Sequence, residues 1–270
     1  MKIGNKFFDL ENKAYIMGIL NVTPDSFSDG GKYNNLDSSL FQTEQMISDG
    51  ADIIDIGGES TRPNYTMITE DEEIQRVCPI IEAIKSRFDI PISLDTYKSK
   101  VAAAGIQSGL DLLNDIWGLK WDESMAEVLS KGNIPVCIMH NRKEANYLNL
   151  IEDVKNDLLE SITIAQNAGI KHENIILDPG IGFAKSLEDN LLLMNHLEEI
   201  NKLGYPVLLG TSRKSMIGLS LSLPVEEREE GTIATTVIGR MKGCSIFRVH
   251  NVKHNFRALK MTESILKAGI

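Results

Sequence analysis

The sequence is sparing with residues that staple a chain, carry it through a membrane or give it a basic face. Its 270 residues hold three cysteines, Cys78, Cys137 and Cys244, odd in number and far apart. Cys137 and Cys244 sit inside apolar runs, so buried free thiols are expected rather than disulfides or a zinc site. That suits a reducing, cytoplasmic setting. Basic charge is short as well: 28 Lys and Arg stand against 38 Asp and Glu, a net charge of −10. Nonspecific binding of nucleic acid or of an anionic membrane is therefore excluded, and an anionic ligand must meet a local basic cluster. No apolar stretch approaches the roughly 20 residues that span a bilayer. Lys2, Lys6, Asp9 and Glu11 interrupt the start, so no signal peptide is expected. Linkers and low-complexity tracts are also lacking. With 42% hydrophobic residues the chain can bury a large core, and a single domain over 1–270 is expected.

What is present is a recurring local pattern. An amphipathic stretch ends near a glycine, a short β-rich run follows, and a polar or Gly-rich segment comes next. The runs are 16–20, 53–56, 92–94, 110–113, 136–139, 175–177, 207–209 and 246–249. Their near-continuous hydrophobicity fits strands buried on both faces, as in parallel sheets. Between them lie helices with readable ends. Thr69 and Glu72 have capping-box spacing before the stretch 74–88, and Ser186 caps a helix reaching Leu203. Gly50, Gly109, Gly132, Gly169, Gly204 and Gly243 stand where left-handed helix caps are expected. Eight such units predict an α/β fold, a (βα)8 TIM barrel, with residues 3–13 forming a short N-terminal hairpin that closes its bottom. An open doubly wound sheet is disfavoured because no G-x-G-x-x-G follows the first strand.

In such barrels the chemistry sits where strands end and βα loops begin. The polar residues there are Asn21, Glu59, Asp95, Asn114, His140, Asp178, Ser212, Arg248 and His250. The loops at 21–31 and 57–63 are longer than the about two to six residues usual for βα connections, which favours function over mere connection. Both are expected to be mobile in the empty protein. Asp95, Asn114 and Asp178 suit a planar heterocycle with adjacent N–H donors, since a carboxylate accepts two parallel hydrogen bonds. The same residues could simply cap helices, and the residues alone leave that choice open. Thr211 to Ser215, with Arg248 and His250, follow strands seven and eight, where barrels often hold phosphate. Surface salt bridges are the plainer reading for Arg213 and Lys214. His250 and His254 are expected to be separated by a strand-to-helix change, which argues against a zinc pair.

Seven stretches in order carry a resemblance: NVTPDSFSDGG at 21–31, DIGGESTRP at 55–63, SLDTYK at 93–98, NDIWG at 114–118, DPGIGF at 178–183, TSRKS at 211–215 and RVH at 248–250. Together they resemble the dihydropteroate synthases, pterin-binding barrel enzymes of folate biosynthesis and targets of sulfonamides. The resemblance implies a transferase in which p-aminobenzoate displaces pyrophosphate from 6-hydroxymethyl-7,8-dihydropterin pyrophosphate. It implies that Asp95, Asn114, Asp178, Lys214, Phe183 and Met139 hold the pterin. Asn21, Thr61, Arg62, Arg248 and His250 would take the pyrophosphate, with Mg2+ at Asn21. Phe27, Thr61, Pro63, Phe183 and Ser215 would shape the p-aminobenzoate side, and Asp95, Lys214 and Arg248 would serve catalysis. A homodimer through late outer helices is implied too. The chain departs from the family at 139–142, where Met-x-Gly is usual, at Ala184, usually Gly, and at Asn251, usually Asp. Two other readings stay open: a methyltetrahydrofolate-dependent methyltransferase, which would not need Arg62, Arg248 and His250, and a non-catalytic pterin-binding barrel.

Overall fold

The computed structural model describes residues 1–22, 32–59 and 67–268, without the side chains of 32–35. Two short strands, β1 (Lys2–Ile3) and β2 (Lys6–Phe7), pair antiparallel. The strands β3 (Tyr15–Asn21), β4 (Ile53–Gly57), β5 (Ile92–Asp95), β6 (Leu112–Asp115), β7 (Val136–Met139), β8 (Ile175–Asp178), β9 (Leu208–Leu209) and β10 (Ile246–Val249) then form one parallel sheet. β10 pairs back onto β3, and a bridge from Leu177 to Val207 joins β8 to the start of β9. The result is a nearly closed eight-stranded barrel. Around it run α1 (Lys32–Asp49), α2 (Glu70–Arg87), α3 (Ser99–Ser108), α4 (Met125–Gly132), α5 (Leu150–Asn167), α6 (Leu187–Asn195), α7 (Leu197–Asn201), α8 (Ser215–Leu221), α9 (Glu229–Met241) and α10 (Val252–Leu266).

Alternation along the strands sorts the core into two layers, because successive strand side chains point to opposite faces. One parity, including Ile54, Ile56, Leu94, Leu113, Ile138 and Leu177, packs outward against Val77, Ile81, Val101, Leu129 and Leu158 of the helices. The other parity, Met17, Ile53, Leu112, Cys137, Ile176, Leu208 and Ile246, fills the barrel bottom together with Ile3, Phe8 and Leu10. The N-terminal hairpin thus plugs that end, as expected. Each fully buried Ile or Leu here contributes roughly 1.5–3 kcal/mol. Continued upward, the inward parity becomes polar: Asp55, Ser93 and Arg248, then Asn21, Asp95, Asn114 and Asp178. Cys137 and Cys244 are buried free thiols, both pushed up in pKa by burial.

Several boundaries moved for visible reasons. Leu112 rather than Leu110 opens the sixth strand. Asp111 is taken up by Lys85, whose ammonium it accepts at 2.9 Å, and by the Ile92 N–H at 2.9 Å. Thr69 caps α2 by accepting from the Glu72 N–H at 3.2 Å. The stretch expected to run unbroken to Leu203 is interrupted at His196, between α6 and α7. Gly132 is not a left-handed cap: Asn133 takes that conformation, with φ 52°. Gly132 is small for a packing reason, since a β-carbon there would lie 2.9 Å from Ile106.

Candidate active site

The pairing register sets a row of residues at one level of the barrel mouth: Asn21 beside Gly57, Gly57 beside Asp95, Asp95 beside Asn114. Among the described residues a β-carbon on Gly57 would meet only the Asn21 Oδ1, at 3.6 Å, so the glycine leaves a gap between the amide and the carboxylate. Across the mouth Met139 pairs with Asp178. The question whether Asp95 caps a helix is answered by α3, which starts only at Ser99 with Lys98 as its cap residue.

Asp95 belongs instead to an ion cluster inside the barrel. Arg248 donates through Nε to Asp55 Oδ2 at 2.6 Å and through Nη2 to Asp95 Oδ2 at 2.7 Å. Burial raises the Asp95 carboxyl to about 7; Arg248 opposes the rise and Asp55 adds to it. Burial also disfavours the Arg248 charge, yet Asp55 and Asp95 together hold it above the usual guanidinium range. The outer oxygens are left over. Asp55 Oδ1, Ser93 Oγ, Asp95 Oδ1 and Asn114 Oδ1 are buried without a hydrogen-bond partner, four of seven such side-chain atoms among the described residues. Buried polar atoms are nearly always satisfied, so a concentration of bare acceptors marks where a donor-rich ligand sits.

Asp178 lies on the opposite wall. Its Oδ1 accepts from the Gly180 N–H at 2.7 Å, so one oxygen does cap a local turn. Its Oδ2 faces Gly210, where a β-carbon would be 3.7 Å away. Burial lifts the Asp178 carboxyl to about 6, against the pull of the Gly180 N–H, Lys214 and Arg248. Lys214 precedes α8 with its ammonium 4.0 Å from the centre of the Phe183 ring. Burial and the Arg248 charge lower its pKa to about 8, so it is a cation at neutral pH that yields its proton more readily than an exposed lysine. Tyr97, Ile116 and Met139, with Trp117 and Phe183, make an apolar cluster beside these groups.

His250 accepts or donates at Nδ1 with Ser212 Oγ, 2.9 Å away, which fixes the ring on the rim. Ser215 is the exposed first residue of α8. The Asn21 side chain is partly exposed at the end of β3. Phe27, Thr61, Arg62 and Pro63 lie outside the described residues, as do most of the two long loops. Two other rim residues turn away from the mouth. Glu59 accepts from Tyr97 Oη at 2.6 Å and from Lys98 Nζ at 2.9 Å. His140 Nε2 meets Asp157 Oδ2 at 2.9 Å, on the helix side of the sheet. In the motif at 114–118, Asp115 is scaffold: it accepts from the Trp117 and Leu119 N–H groups at 2.8 and 2.7 Å.

Sequence reasoning missed Asp55, Ile116 and Tyr97. Parity could have found Asp55, which is two residues from Ile53 and therefore points inward with Arg248. Among the described residues no group of three His, Cys, Asp or Glu could hold a metal ion.

A family model described as pterin binding enzyme matches residues 17–250. The chain is similar to the dihydropteroate synthase of Clostridium beijerinckii, 62% identical over 99% of this chain and 100% of that protein. Among solved structures it resembles the dihydropteroate synthase of Clostridium difficile in the presence of pteroic acid, with a TM-score of 0.94 at 50% identity over 96% and 99% of the two chains. It also resembles the Yersinia pestis enzyme in a sulfonamide drug complex, with a TM-score of 0.93 at 41% identity over 99% of both chains.

Proposed function

The chain belongs to the pterin-binding enzyme family and has dihydropteroate synthase function, a transferase activity of folate biosynthesis, and on that premise we propose how its residues divide the work. Asp178, Asn114 and Asp95 read the amino-pyrimidinone edge of the pterin, flanked by Lys214, Phe183 and Met139. The observation that carries this is the set of bare buried acceptors at Asp55, Asp95 and Asn114. The pterin edge is rich in N–H donors, and donors are what those oxygens lack. Family-level alternatives, a methyl transfer or a catalytically silent barrel, give way to the likeness to enzymes of one activity over almost the whole chain.

The diphosphate side falls to Arg248, His250 and Asn21, with Thr61 and Arg62. Nε and Nη2 of Arg248 are engaged by Asp55 and Asp95, which leaves Nη1 to face an anion. One amide oxygen at Asn21 suits Mg2+ that arrives with a diphosphate, because Mg2+ keeps several waters and prefers few protein ligands. When bound there it would neutralise charge on the departing diphosphate. Phe27, Thr61, Pro63, Phe183 and Ser215 shape the p-aminobenzoate side. In the reaction the bond from the pterin methylene to the diphosphate oxygen breaks with its electron pair leaving on oxygen. The arylamine nitrogen forms the new bond to carbon and releases a proton to water. Asp95, facing the ring, supports positive charge on the methylene, which favours a dissociative path.

Acidification tests the pterin assignment. Affinity for unphosphorylated hydroxymethylpterin should be highest a little above pH 7, where Lys214, which loses its proton near 8, is still charged. It should then fall as Asp95 and Asp178 take up protons near 7 and near 6, because a protonated carboxyl opposes an N–H donor. Asp178→Asn should weaken pterin binding by roughly 2–4 kcal/mol at pH 8 and abolish the lower limb. Calorimetry showing unchanged affinity in the folded variant removes Asp178 from the pterin edge.

The loops bearing Phe27, Arg62 and Pro63 suggest ordered binding, in which p-aminobenzoate follows the diphosphate. Titrating p-aminobenzoate with and without Mg-pyrophosphate checks this; equal affinities mean a pocket formed beforehand. Leu219 and Leu221 of α8 and Ile238 and Met241 of α9 expose 43–65% of their surface. Those exposed apolar side chains support a homodimer through late outer helices. No described helix is long and apolar enough to cross a membrane, in keeping with a cytoplasmic enzyme.

A further inference from the structure

Lys185 and His140 form a joint that the division of labour above leaves without a task. Lys185 Nζ lies 2.8 Å from His140 Nδ1 and donates to the carbonyls of Gly180 at 3.0 Å and Phe183 at 3.1 Å. Burial lowers the Lys185 pKa to about 7, and the tautomer is fixed from the other side: the Asp157 carboxylate only accepts, which puts the ring proton on Nε2 and leaves Nδ1 to accept from Lys185 Nζ. Burial, together with the neighbouring lysine, lowers the His140 pKa to about 4, consistent with a neutral ring. Arg142 grips the same carboxylate through Nε at 2.6 Å and Nη2 at 3.2 Å. Burial would raise the Asp157 pKa, yet hydrogen bonds from His140 and Arg142 hold it below the usual range. A continuous chain of hydrogen bonds therefore runs from α5, through the end of β7, to the loop after β8.

That loop has an unusual backbone. Gly180, Gly182 and Ala184 all have positive φ, at 69°, 83° and 44°. A β-carbon on Gly180 would fall 1.9 Å from the His140 carbonyl oxygen, so loop and joint are in direct backbone contact. Ala184 carries its methyl in a left-handed conformation, which glycine adopts without strain. Tyr147 Oη donates to the Ala184 carbonyl at 2.8 Å. Such conformations persist only where the surroundings over-determine them. The same loop orients Asp178 through the Gly180 N–H and carries Phe183.

We propose that Lys185 is a positioning residue of the pterin subsite: held by His140, its terminal nitrogen donates to the Gly180 and Phe183 carbonyls and so sets the Asp178 carboxylate and the Phe183 ring. Lys185 acts through those two groups and not on the pterin. The proposal rests on the assignment of Asp178 to the pterin edge, and the test separates the two. Calorimetry with hydroxymethylpterin and, independently, with Mg-pyrophosphate is run on the native enzyme, Lys185→Met and Asp178→Asn. Lys185→Met should lose ten- to thirtyfold in pterin affinity and change less than twofold toward pyrophosphate. In turnover, KM for the pterin substrate should rise by a larger factor than kcat falls. Equal losses toward both ligands, or no loss of pterin affinity, overturn the positioning role. If Asp178→Asn loses pterin and Lys185→Met does not, positioning alone fails; if Asp178→Asn binds normally, the underlying assignment fails. Should Lys185→Met not fold, Lys185→Gln decides, because its amide keeps two donors. A three- to fivefold selective loss supports the role, and native affinity overturns it.

Discussion

Arg248→Met should lower the unfolding free energy by about 3–5 kcal/mol, the loss usual when one partner of a buried ion pair is removed. Asp55 is fully buried and Asp95 nearly so, and each gives one oxygen to the guanidinium. Without it neither buried carboxylate keeps its ion-pair partner. The deficit should depend on pH. Asp95 already sits near 7 in the native protein through burial, and losing Arg248 raises it further. A carboxyl with a raised folded-state pKa contributes stability at low pH, and that contribution disappears as pH climbs through the folded value. The variant should therefore lie closest to the native protein near pH 5 and furthest from it near pH 8. Denaturant titrations at the two pH values check this, and adding Asp55→Asn should recover part of the loss. A deficit that does not vary with pH would place the strain elsewhere than on Asp95. In binding, the folded variant should lose more affinity for the pterin pyrophosphate than for the pterin alcohol. Equal losses would remove Arg248 from the anion side.

Lys98→Met should be comparably destabilising, again by about 3–5 kcal/mol. The Lys98 ammonium donates to Glu59 Oε2 at 2.9 Å, to Glu73 Oε2 at 2.7 Å and to the Ile68 carbonyl at 2.9 Å. All three charged side chains are at least 94% buried, so water cannot replace the lost partner. Burial already raises the Glu73 carboxyl above its ordinary range, with Lys98 opposing the rise. Two buried carboxylates left without a counter-charge should therefore drive proton uptake as well as unfolding. Chemical denaturation of Lys98→Met and of Lys98→Met/Glu73→Gln measures it. The double variant should regain stability; if it does not, the lysine matters through its stem rather than its charge. Glu59 and Ile68 bracket the segment holding Thr61, Arg62 and Pro63, with Glu59 also accepting from the Ile68 N–H at 2.7 Å. A raised KM for p-aminobenzoate in the folded single variant is the expected companion effect.

The architecture was legible because it is written locally. Apolar runs of strand length, caps such as Thr69 and Ser186, and glycines such as Gly109 report on neighbours within a few residues. The positions of Asp95, Asn114, Asp178 and Arg248 at strand ends were legible for the same reason. What they touch was not. Arg248 meets Asp55 across 193 residues of sequence and Asp95 across 153, and nothing local distinguishes a carboxylate awaiting that guanidinium from one awaiting a ligand. Glu59 and His140 looked equivalent to Asp95 and Asp178 in their runs, yet each faces a structural partner. One residue of parity separates His140 from Met139 and sends the imidazole to the helix side. Gly132 and Asn133 show the same limit: the glycine signalled a helix end, and its true reason, the nearby Ile106, lies on another helix.

The seam between β3 and β10 has a bearing on how the chain is made. The barrel's first strand hydrogen-bonds to its last, with Tyr15 to Gly18 set against Ile246 to Val249. The hairpin plug is tied to the same late segment, through Ser245 Oγ to the Leu10 carbonyl and the Ala14 N–H to Glu263. Synthesis runs from the amino end, so one edge of β3 stays unpaired until residues 246–249 have left the ribosome. Contacts of such long sequence separation form late and slowly. During that interval the nascent protein presents an open strand edge, the feature most prone to pairing with the wrong neighbour. Its demand on chaperones should therefore fall once residues 246–249 have emerged and the seam can close.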